Sequence, residues 1–198
     1  FKSYKAQEKF LEDDGFDIEW NIGGLNTAFI ATWKKGSGPT IGFVGEYDAL
    51  PGLSQKIHPS PEPIEEGANG HGCGHNLLGT GAVAAAVATK EWFSENNQTG
   101  EIRYYGCPAE EGGFGKVYMV REGAFDDLDV AFNFHPGWSN YAVRGTFLGA
   151  VNLFFRFKGK TSHAGTAPHL GRSALDAVEL VTVVVDYLRE HMEDHASL

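Results

Sequence analysis

The alternation of apolar and polar positions in the first 50 residues predicts one helix followed by three short strands. Residues 1–14 carry apolar side chains at helical spacing in a polar background that ends at Gly15, which is typical of an amphipathic helix with a glycine stop. The runs FDIEW, TAFIATW and TIGFVG follow, separated by Gly, Asn and Ser as strands usually are. The third run stops at Glu46-Tyr47-Asp48, so we expect these side chains at the rim of a sheet, where α/β proteins place their chemistry.

Between residues 51 and 147 the pattern predicts a long loop, two further strands and two helices. Residues 51–72 are rich in Pro, Gly, Glu and Ser, and loops of this length are usually functional or disordered. Asn76 is a candidate cap for the helix LLGTGAVAAAVATKEWFSE. EIRYYGC is a strand that stops before Pro108, GKVYMVREGA is a short helix, and the strand LDVAFNFH ends on His135. This alternation predicts an α/β fold in which helices cover the faces of one sheet.

The pattern changes near residue 147, and we place a domain boundary at Thr146–Val151. LGAVNLFFRFKG alternates like a half-exposed antiparallel strand, and SALDAVELVTVVVDYLREHM has the periodicity of a long helix. The predicted domains are therefore residues 1–147 and 148–198. The chain begins inside one predicted helix and ends just past another, so we expect it to be a fragment of a longer protein.

Composition and charge narrow the classes of function. Apolar residues make up 42% of the 198 residues, which is enough to bury a sizeable core. The net charge of −10 repels phosphate backbones and anionic membrane surfaces, which argues against nucleic-acid and membrane partners. Cys73 lies among glycines and histidines, whereas Cys107 ends an apolar run. This contrast favours one ligand and one buried thiol over a disulfide, and therefore a reducing, cytoplasmic compartment.

The run His71-Gly72-Cys73-Gly74-His75 is the sharpest chemical signal in the sequence. Thiolate and imidazole are the ligands that zinc-like ions prefer, and the glycines let the backbone fold closely around an ion. On extended backbone, residues 73 and 75 would project from the same face and could contact one metal. The alternative is a glycine-rich turn with incidental histidines, and His71 could be either a ligand or a neighbour.

Glu110 and Glu111 form the second candidate group, directly after a strand and a proline. Adjacent carboxylates on extended backbone point in opposite directions, so one can bind a metal while the other faces a metal-activated water. A free carboxylate in that position can take the proton of the water. Taken alone, the pair is more typical of a solvated acidic surface. Its position beyond the Cys73 loop, at the end of another strand, favours a metal site.

Three further residues are candidates because they stand at strand ends or turns. His135 closes a third strand, at what we expect to be the same edge of the sheet. Asp48 could bridge metals, orient a ligand histidine or simply form a turn. His163, in KTSHAG, is from the residues alone better explained as a turn histidine.

Five motifs occur in the order found in a known family. GEYDALPG, HGCGHNLLG, GCPAEEGGFGK, FHPG and GKTSHAG resemble those of the aminoacylase/carboxypeptidase-G superfamily of dinuclear metallopeptidases, and the resemblance covers essentially the whole chain. The Cys-Gly-His form of the second motif points to the amidohydrolase branch. Within that branch, EYDALPGLSQ, NGHGCGHNLLGT and PHLGRSALDAVEL look closest to the aminobenzoyl-glutamate hydrolases.

The resemblance implies a role for each matching position. It makes Glu110 the general base and Asp48 the aspartate that supports the metal site. It also makes His163 a lid histidine that stabilises the oxyanion in the active site of a partner subunit. The implied metal ligands are Cys73, His75, Glu111 and His135. The family's usual histidine two residues before the aspartate is Glu46 here, and this departure leaves the role of Glu46 open.

The resemblance also implies a fold, cofactors and partners. The expected fold is an α/β, mixed-sheet, three-layer catalytic domain with the start of an inserted α+β, ferredoxin-like lid and dimerisation domain. The expected cofactors are two divalent metal ions, zinc or manganese. We expect hydrolysis of a small amide or peptide substrate that joins an acyl or aryl group to an amino acid, in a homodimer formed through the lid or with a related subunit. The alternatives are a dipeptidase or aminoacylase on the same scaffold, and a non-catalytic metal-dependent binding protein.

Overall fold

A computed structural model describes residues 2–140, 142, 148–193 and 196 of the chain. The chain divides into two compact units, residues 1–140 and 141–198. The boundary predicted at Thr146–Val151 falls partly on residues outside those described. No described helix is long and apolar enough to cross a membrane.

The first unit is built on a five-stranded mixed sheet with the strand order β1-β2-β4-β3-β5. The β1–β2 and β2–β4 pairs are antiparallel, whereas β4–β3 and β3–β5 are parallel. The parallel half of the sheet brings the carboxyl ends of β4, β3 and β5 to one edge. The strands are β1 (Asp17–Trp20), β2 (Phe29–Lys35), β3 (Thr40–Glu46), β4 (Gly100–Cys107) and β5 (Val130–Phe132).

Helices cover both faces of this sheet, which confirms the predicted three-layer arrangement. Helix α1 (Lys2–Asp13) and helix α2 (His75–Glu95) pack on one face, where Leu11, Ala82 and Ala86 contact the sheet side chains Phe29 and Tyr104. A second core on the opposite face contains Met119 from helix α4 (Gly115–Arg121) together with Tyr105 and Val44. A short helix α3 (Glu110–Gly113) precedes α4. The chain is therefore long enough to bury two cores around one sheet.

Several predicted elements differ in their details. The last strand of the sheet ends at Phe132, so His135 lies three residues beyond it in a loop. The prediction that Asn76 caps α2 is wrong, because the helix begins at His75. Gly74 precedes it in the left-handed conformation with φ 82°. Residues 51–72 form neither helix nor strand, as predicted, and a single bridge between Leu50 and Gly70 closes this loop.

The second unit contains helix α5 (Ala174–Arg189), which Ser173 caps by accepting a hydrogen bond from the N–H of Asp176 at 3.1 Å. The strand predicted over residues 148–159 is wrong for the described part of the chain, where those residues form no strand. An isolated bridge joins Lys160 to Arg172. A half-exposed strand needs a neighbouring strand for its backbone hydrogen bonds, and the described residues of this unit supply none.

Candidate metal centre

Chemically active side chains follow three strands that are neighbours in the sheet. Asp48 comes two residues after β3, Glu110 three residues after β4, and His135 three residues after β5. Because these strands are parallel and adjacent, their carboxyl ends deliver the side chains to one edge of the sheet. The three strand ends therefore meet at one edge of the sheet, as predicted.

Two glycines let helix α2 carry His75 to that edge. Gly74 adopts φ 82°, and a Cβ at this position would lie 3.0 Å from Cγ of Pro136, the residue after His135. One turn into the helix, a Cβ on Gly79 would lie 2.5 Å from the backbone oxygen of Glu46. Both glycines thus permit a close approach between the helix start and the ends of β3 and β5. The expectation that residues 73 and 75 lie on extended backbone is wrong, since His75 is the first residue of a helix.

The imidazole of His75 is almost fully buried, and of its two nitrogens only Nδ1 has a hydrogen-bond partner among the described residues. Its Nδ1 lies 2.9 Å from Oδ1 of Asp48, and the other carboxylate oxygen of Asp48 accepts the N–H of Glu111 at 3.0 Å. If Nδ1 carries the proton and donates it to Asp48, then Nε2 presents a lone pair to the site. Nε2 is buried and makes no hydrogen bond to any described residue. Of the roles that Asp48 could have, orienting His75 is the one that this geometry matches.

Carboxylate oxygens surround the unpaired Nε2 of His75. Oε2 of Glu46 is 3.1 Å away but not in hydrogen-bonding alignment, and oxygens of Glu110 and Glu111 each lie at 3.8 Å. A lone pair facing three carboxylates is unfavourable, because it places electron-rich atoms together in a partly buried space. A divalent cation among these atoms would relieve that arrangement.

Cys73 and His135 form the other half of the cluster. Sγ of Cys73 lies 3.3 Å from Nε2 of His135, and Nδ1 of His135 is 3.0 Å from the backbone oxygen of Pro136. Partial burial raises the pKa of the Cys73 thiol to about 11, and its hydrogen bond to Glu111 and nearby negative charges act in the same direction. Without a cation the thiol is therefore protonated at neutral pH, and metal binding must displace that proton. Both cysteines are free thiols, and Cys107 is fully buried, as predicted.

Glu110 and Glu111 are brought together with the other candidates, but on a different backbone from the predicted one. They form the first turn of α3, after Ala109 in the left-handed conformation with φ 54°. Adjacent side chains on a helix diverge by about 100° rather than pointing in opposite directions. The backbone at Glu110 and Glu111 differs from the predicted extended one because the chain turns out of the strand direction here. In this turn the N–H of Glu111 donates a hydrogen bond to Asp48. The two carboxylates still differ in exposure, at 40% for Glu110 and 25% for Glu111.

The residues present fit a metal site. The ligand atoms of Cys73, His75 and His135 all lie within 4.8 Å of one another, and the same holds for Glu46, His75 and Glu110. Bond lengths of about 2.1 Å to nitrogen or oxygen and about 2.3 Å to sulfur, with a tetrahedral angle, separate two ligands of one zinc-like ion by roughly 3.4 Å, or by roughly 3.6 Å if one is a sulfur. The observed separations of 3.1 Å and 3.3 Å are close to those values. Four of the converging residues were predicted as ligands: Cys73, His75, Glu111 and His135.

Sequence reasoning left Glu46 open and missed Lys116. Glu46 is the last residue of β3, is 5% exposed and forms a close ion pair with Lys116 at the start of α4. The signal for Glu46 was its position two residues before Asp48, whereas nothing in the run GFGKVY marked Lys116. Nδ1 of His71 is also buried and has no hydrogen-bond partner among the described residues.

His163 lies in the second unit, where it has the local environment of a turn residue. Its Nδ1 accepts the backbone N–H groups of Gly165 at 3.1 Å and Thr166 at 3.2 Å. Nδ1 therefore has partners within its own loop, and its role in stabilising an oxyanion stays a prediction.

Comparison with known proteins gives matches to one peptidase family and to individual hydrolases. A profile of peptidase family M20/M25/M40 matches residues 42–194. The chain is 50% identical to one of the subunits of the p-aminobenzoyl-glutamate hydrolase of Escherichia coli K12, over 94% of its own length and 39% of that protein. It is 35% identical to the Xaa-Arg dipeptidase of Mus musculus, over 93% of the chain and 42% of that enzyme. The chain thus spans about two fifths of the length of these relatives.

Solved structures show the same fold. A dinuclear metal-binding peptidase of the M20 family from Bacillus subtilis superposes with a TM-score of 0.54 at 25% identity, over 69% of this chain and 37% of that one. An aminohydrolase structure from methicillin-resistant Staphylococcus aureus gives a TM-score of 0.62 over 99% of this chain and 53% of that one. Its identity is 19%, so this second likeness concerns the fold alone.

Proposed function

Because the chain belongs to peptidase family M20/M25/M40, as the resemblance of its motifs predicted, we propose that it is the metal-binding part of a two-metal amidohydrolase. The proposed reaction is hydrolysis of the amide bond that joins an acyl or aryl group to an amino acid. One observation carries the proposal. The buried Nε2 of His75 has no hydrogen-bond partner and faces the carboxylates of Glu46, Glu110 and Glu111.

The proposed ligands are Cys73, His75, Glu111 and His135, and the proposed cofactors are two divalent ions. Such ions supply Lewis-acid activation of a water molecule and of the amide carbonyl. Cys73 favours zinc because thiolate is a soft ligand, whereas the resemblance to aminobenzoyl-glutamate hydrolases keeps manganese as the alternative. Elemental analysis of the purified full-length protein distinguishes the two metals.

Glu110 is the proposed general base. Its side chain is 40% exposed, more than that of any other carboxylate around His75, so it faces the side from which water and substrate arrive. Glu110 would take a proton from the attacking water and return it to the leaving amine. Asp48 would hold His75 in the tautomer that leaves Nε2 free, through its contact of 2.9 Å with Nδ1.

The relatives support three candidate substrate classes. The 50% identity to a p-aminobenzoyl-glutamate hydrolase subunit supports an aryl-amide of an amino acid such as aminobenzoyl-glutamate. A dipeptidase function is the second candidate, because an Xaa-Arg dipeptidase is 35% identical. An N-acyl amino acid is a third option, supported by an N-acetyl-L-cysteine deacetylase of Bacillus subtilis at 30% identity.

The second unit is proposed to be the start of a lid and dimerisation domain. Under this proposal, His163 reaches the active site of a partner subunit and stabilises the oxyanion of the reaction. The partner would be a second copy of the protein or a related subunit. A related subunit is supported by the hydrolase of Escherichia coli K12, which has two differently named subunits that are 50% and 31% identical to this chain. The two free thiols of the chain support a cytoplasmic location for the protein.

The decisive experiment combines one variant with a panel of substrates. We expect full-length Glu110→Gln to retain its metal ions and to lose activity by about 100-fold or more, because the amide cannot accept the proton. The matched control is Glu91→Gln, which makes the same change on the exposed surface of α2. Unchanged turnover in Glu110→Gln would remove this residue from the mechanism.

Parallel assays with aminobenzoyl-glutamate, an Xaa-Arg dipeptide and an N-acetyl amino acid would identify the substrate class. A metal-loaded, wild-type protein that hydrolyses none of these would instead support the alternative of a non-catalytic, metal-dependent binding protein.

A further inference from the structure

The predicted ligand set is small for two metal ions. Cys73, His75, Glu111 and His135 offer four ligand groups, whereas a single catalytic zinc commonly takes three protein ligands. Two ions therefore need either shared ligands or further donors. The carboxylate at the end of β3 is placed to be such a donor.

Glu46 has the burial and the position of a ligand. Its side chain is 6% exposed, and its Oε2 lies 3.1 Å from Nε2 of His75, the buried nitrogen without a hydrogen-bond partner. That separation agrees with two ligand atoms on one ion. The contact is not a hydrogen bond, so it leaves Nε2 of His75 without a hydrogen-bond partner among the described residues.

Lys116 determines which oxygen of Glu46 is free. Its ammonium group pairs with Oε1 of Glu46, and it lies at the first turn of α4, which Met119 anchors in the second core. One oxygen of the carboxylate is therefore committed to Lys116, while the other faces His75. The ion pair also fixes the carboxylate in one rotamer, which reduces the entropy that a mobile glutamate would lose on binding a cation.

We propose that Glu46 is a fifth metal ligand that binds through Oε2 alone, and that Lys116 is the positioning residue that restricts it to this oxygen. The inference rests on the proposed two-metal function. In this arrangement Glu46 and His75 would contribute to one ion, while the ligand atoms of Cys73, His75 and His135, which lie within 4.8 Å of one another, would form the other group. An oxygen of Glu111 lies 3.8 Å from Nε2 of His75.

The alternative is that Glu46 and Lys116 form a structural ion pair that only fastens α4 to the sheet. The two accounts differ in what each single substitution does. If Glu46 is a ligand, then its charge is needed for metal binding whether or not Lys116 is present. If the ion pair is what matters, then removing either partner has the same effect.

The experiment is a titration of metal-free, full-length protein with Co²⁺, followed by absorbance, with the bound metal counted by elemental analysis after dialysis. Glu46→Gln keeps the shape of the side chain and a hydrogen-bond acceptor for Lys116. We expect it to bind one ion about 100-fold or more weaker, since even the loss of a group that only supports a ligand costs 10–100-fold. The thiolate-to-cobalt absorption from Cys73 should remain, which shows that the other half of the site is intact.

Two comparison variants complete the experiment. Lys116→Met removes the ion pair but keeps the carboxylate, and we expect it to retain two bound ions. Glu101→Gln makes the same change at another buried strand glutamate, which pairs with Lys34 at 2.9 Å at the opposite end of the sheet. We expect Glu101→Gln to bind two ions with wild-type affinity. Thermal unfolding of each metal-free variant identifies any that fail to fold.

The outcomes separate the inference from the proposed function. Wild-type protein that binds fewer than two ions would overturn the two-metal function itself. Two ions in wild-type and an unchanged second binding step in Glu46→Gln would overturn the ligand role of Glu46 alone. Equal losses in Glu46→Gln and Lys116→Met would also overturn it, because they would assign the effect to the ion pair.

Discussion

The contact between Asp48 and His75 allows a quantitative test of how the site is organised. In Asp48→Asn, the amide has one oxygen and one NH₂ group, while the site presents two donors: the N–H of Glu111 at 3.0 Å and, in the proposed tautomer, Nδ1–H of His75 at 2.9 Å. One of the two hydrogen bonds must be lost, and the remaining one no longer involves a charged acceptor. Hydrogen bonds to charged groups contribute about 1.5–3 kcal/mol, so the perturbation is about 2 kcal/mol.

That energy should appear partly in metal affinity. Loss of a group that orients a ligand histidine weakens metal binding by about 10–100-fold, which corresponds to about 1.4–2.8 kcal/mol. The two estimates agree, and we expect about a 30-fold loss of affinity in Asp48→Asn. The assay is a competition titration against a chelator of known affinity, at a temperature well below the unfolding transition of the metal-free protein.

A matched control lies at the other end of the same strand. Asp129 accepts the N–H of Thr40, the first residue of β3, at 2.8 Å, so Asp129→Asn removes a similar charged acceptor far from the site. We expect it to lower the free energy of unfolding without changing metal affinity. If Asp48→Asn behaves like this control, with a lower stability and an affinity within about threefold of wild type, then Asp48 is a structural acceptor and the reasoning is wrong.

Three further predictions test other parts of the structure. Cys73→Ala should lower the metal content by elemental analysis, and equal metal would make Cys73 a packing residue. Gly79→Ala should destabilise the metal-free protein by about 1–3 kcal/mol in chemical unfolding, because the new Cβ would lie 2.5 Å from the oxygen of Glu46; an unchanged midpoint would contradict the close approach. Asp127→Asn should cost about 1 kcal/mol at pH 7, since the bidentate pair with Arg103 is partly exposed. The hydrogen bond from Arg103 holds the pKa of Asp127 below 3.8, so this stabilisation is present above pH 3.8 and is lost as pH falls through the lowered pKa. A difference between variant and wild type that grows at low pH would contradict the sign.

The position of the site could be predicted from the sequence because it depends on where strands end. Three apolar runs end at polar residues, and in a parallel arrangement their ends must meet at one edge. The structure has β4, β3 and β5 as neighbours, so the convergence follows from topology alone. Buried strands also have a clear hydrophobic signal, which is why their bounds differ from the predicted ones by only a few residues.

The local backbone at the site could not be predicted in the same way. Residues 73–75 and 109–111 were expected to be extended, yet His75 begins α2 and Glu110 begins α3. A short segment takes its conformation from contacts with distant parts of the chain. Here the carboxylate of Asp48 contacts both His75 Nδ1 and the N–H of Glu111, and neither contact is visible in the local sequence.

The strand expected over residues 148–159 has a different explanation. The alternation of apolar and polar residues depends on the segment alone, whereas a strand forms only when the segment pairs with a second strand. Among the described residues of the second unit no partner strand is present, and the apolar side chains of Val151, Leu153 and Phe155 are exposed. Alternation therefore identified a segment that suits a sheet, without showing that a sheet is there.

The same carboxylates that make the cluster suited to cations make it costly without them. Glu110 and Glu111 each have an oxygen 3.8 Å from His75 Nε2, and like charges brought to the same partly buried site repel each other. Lys116 offsets the charge of Glu46, whereas Glu110 and Glu111 form no ion pair with a lysine or arginine among the described residues. A cation would find its strongest attraction there, next to the exposed carboxylate that is proposed to handle the proton.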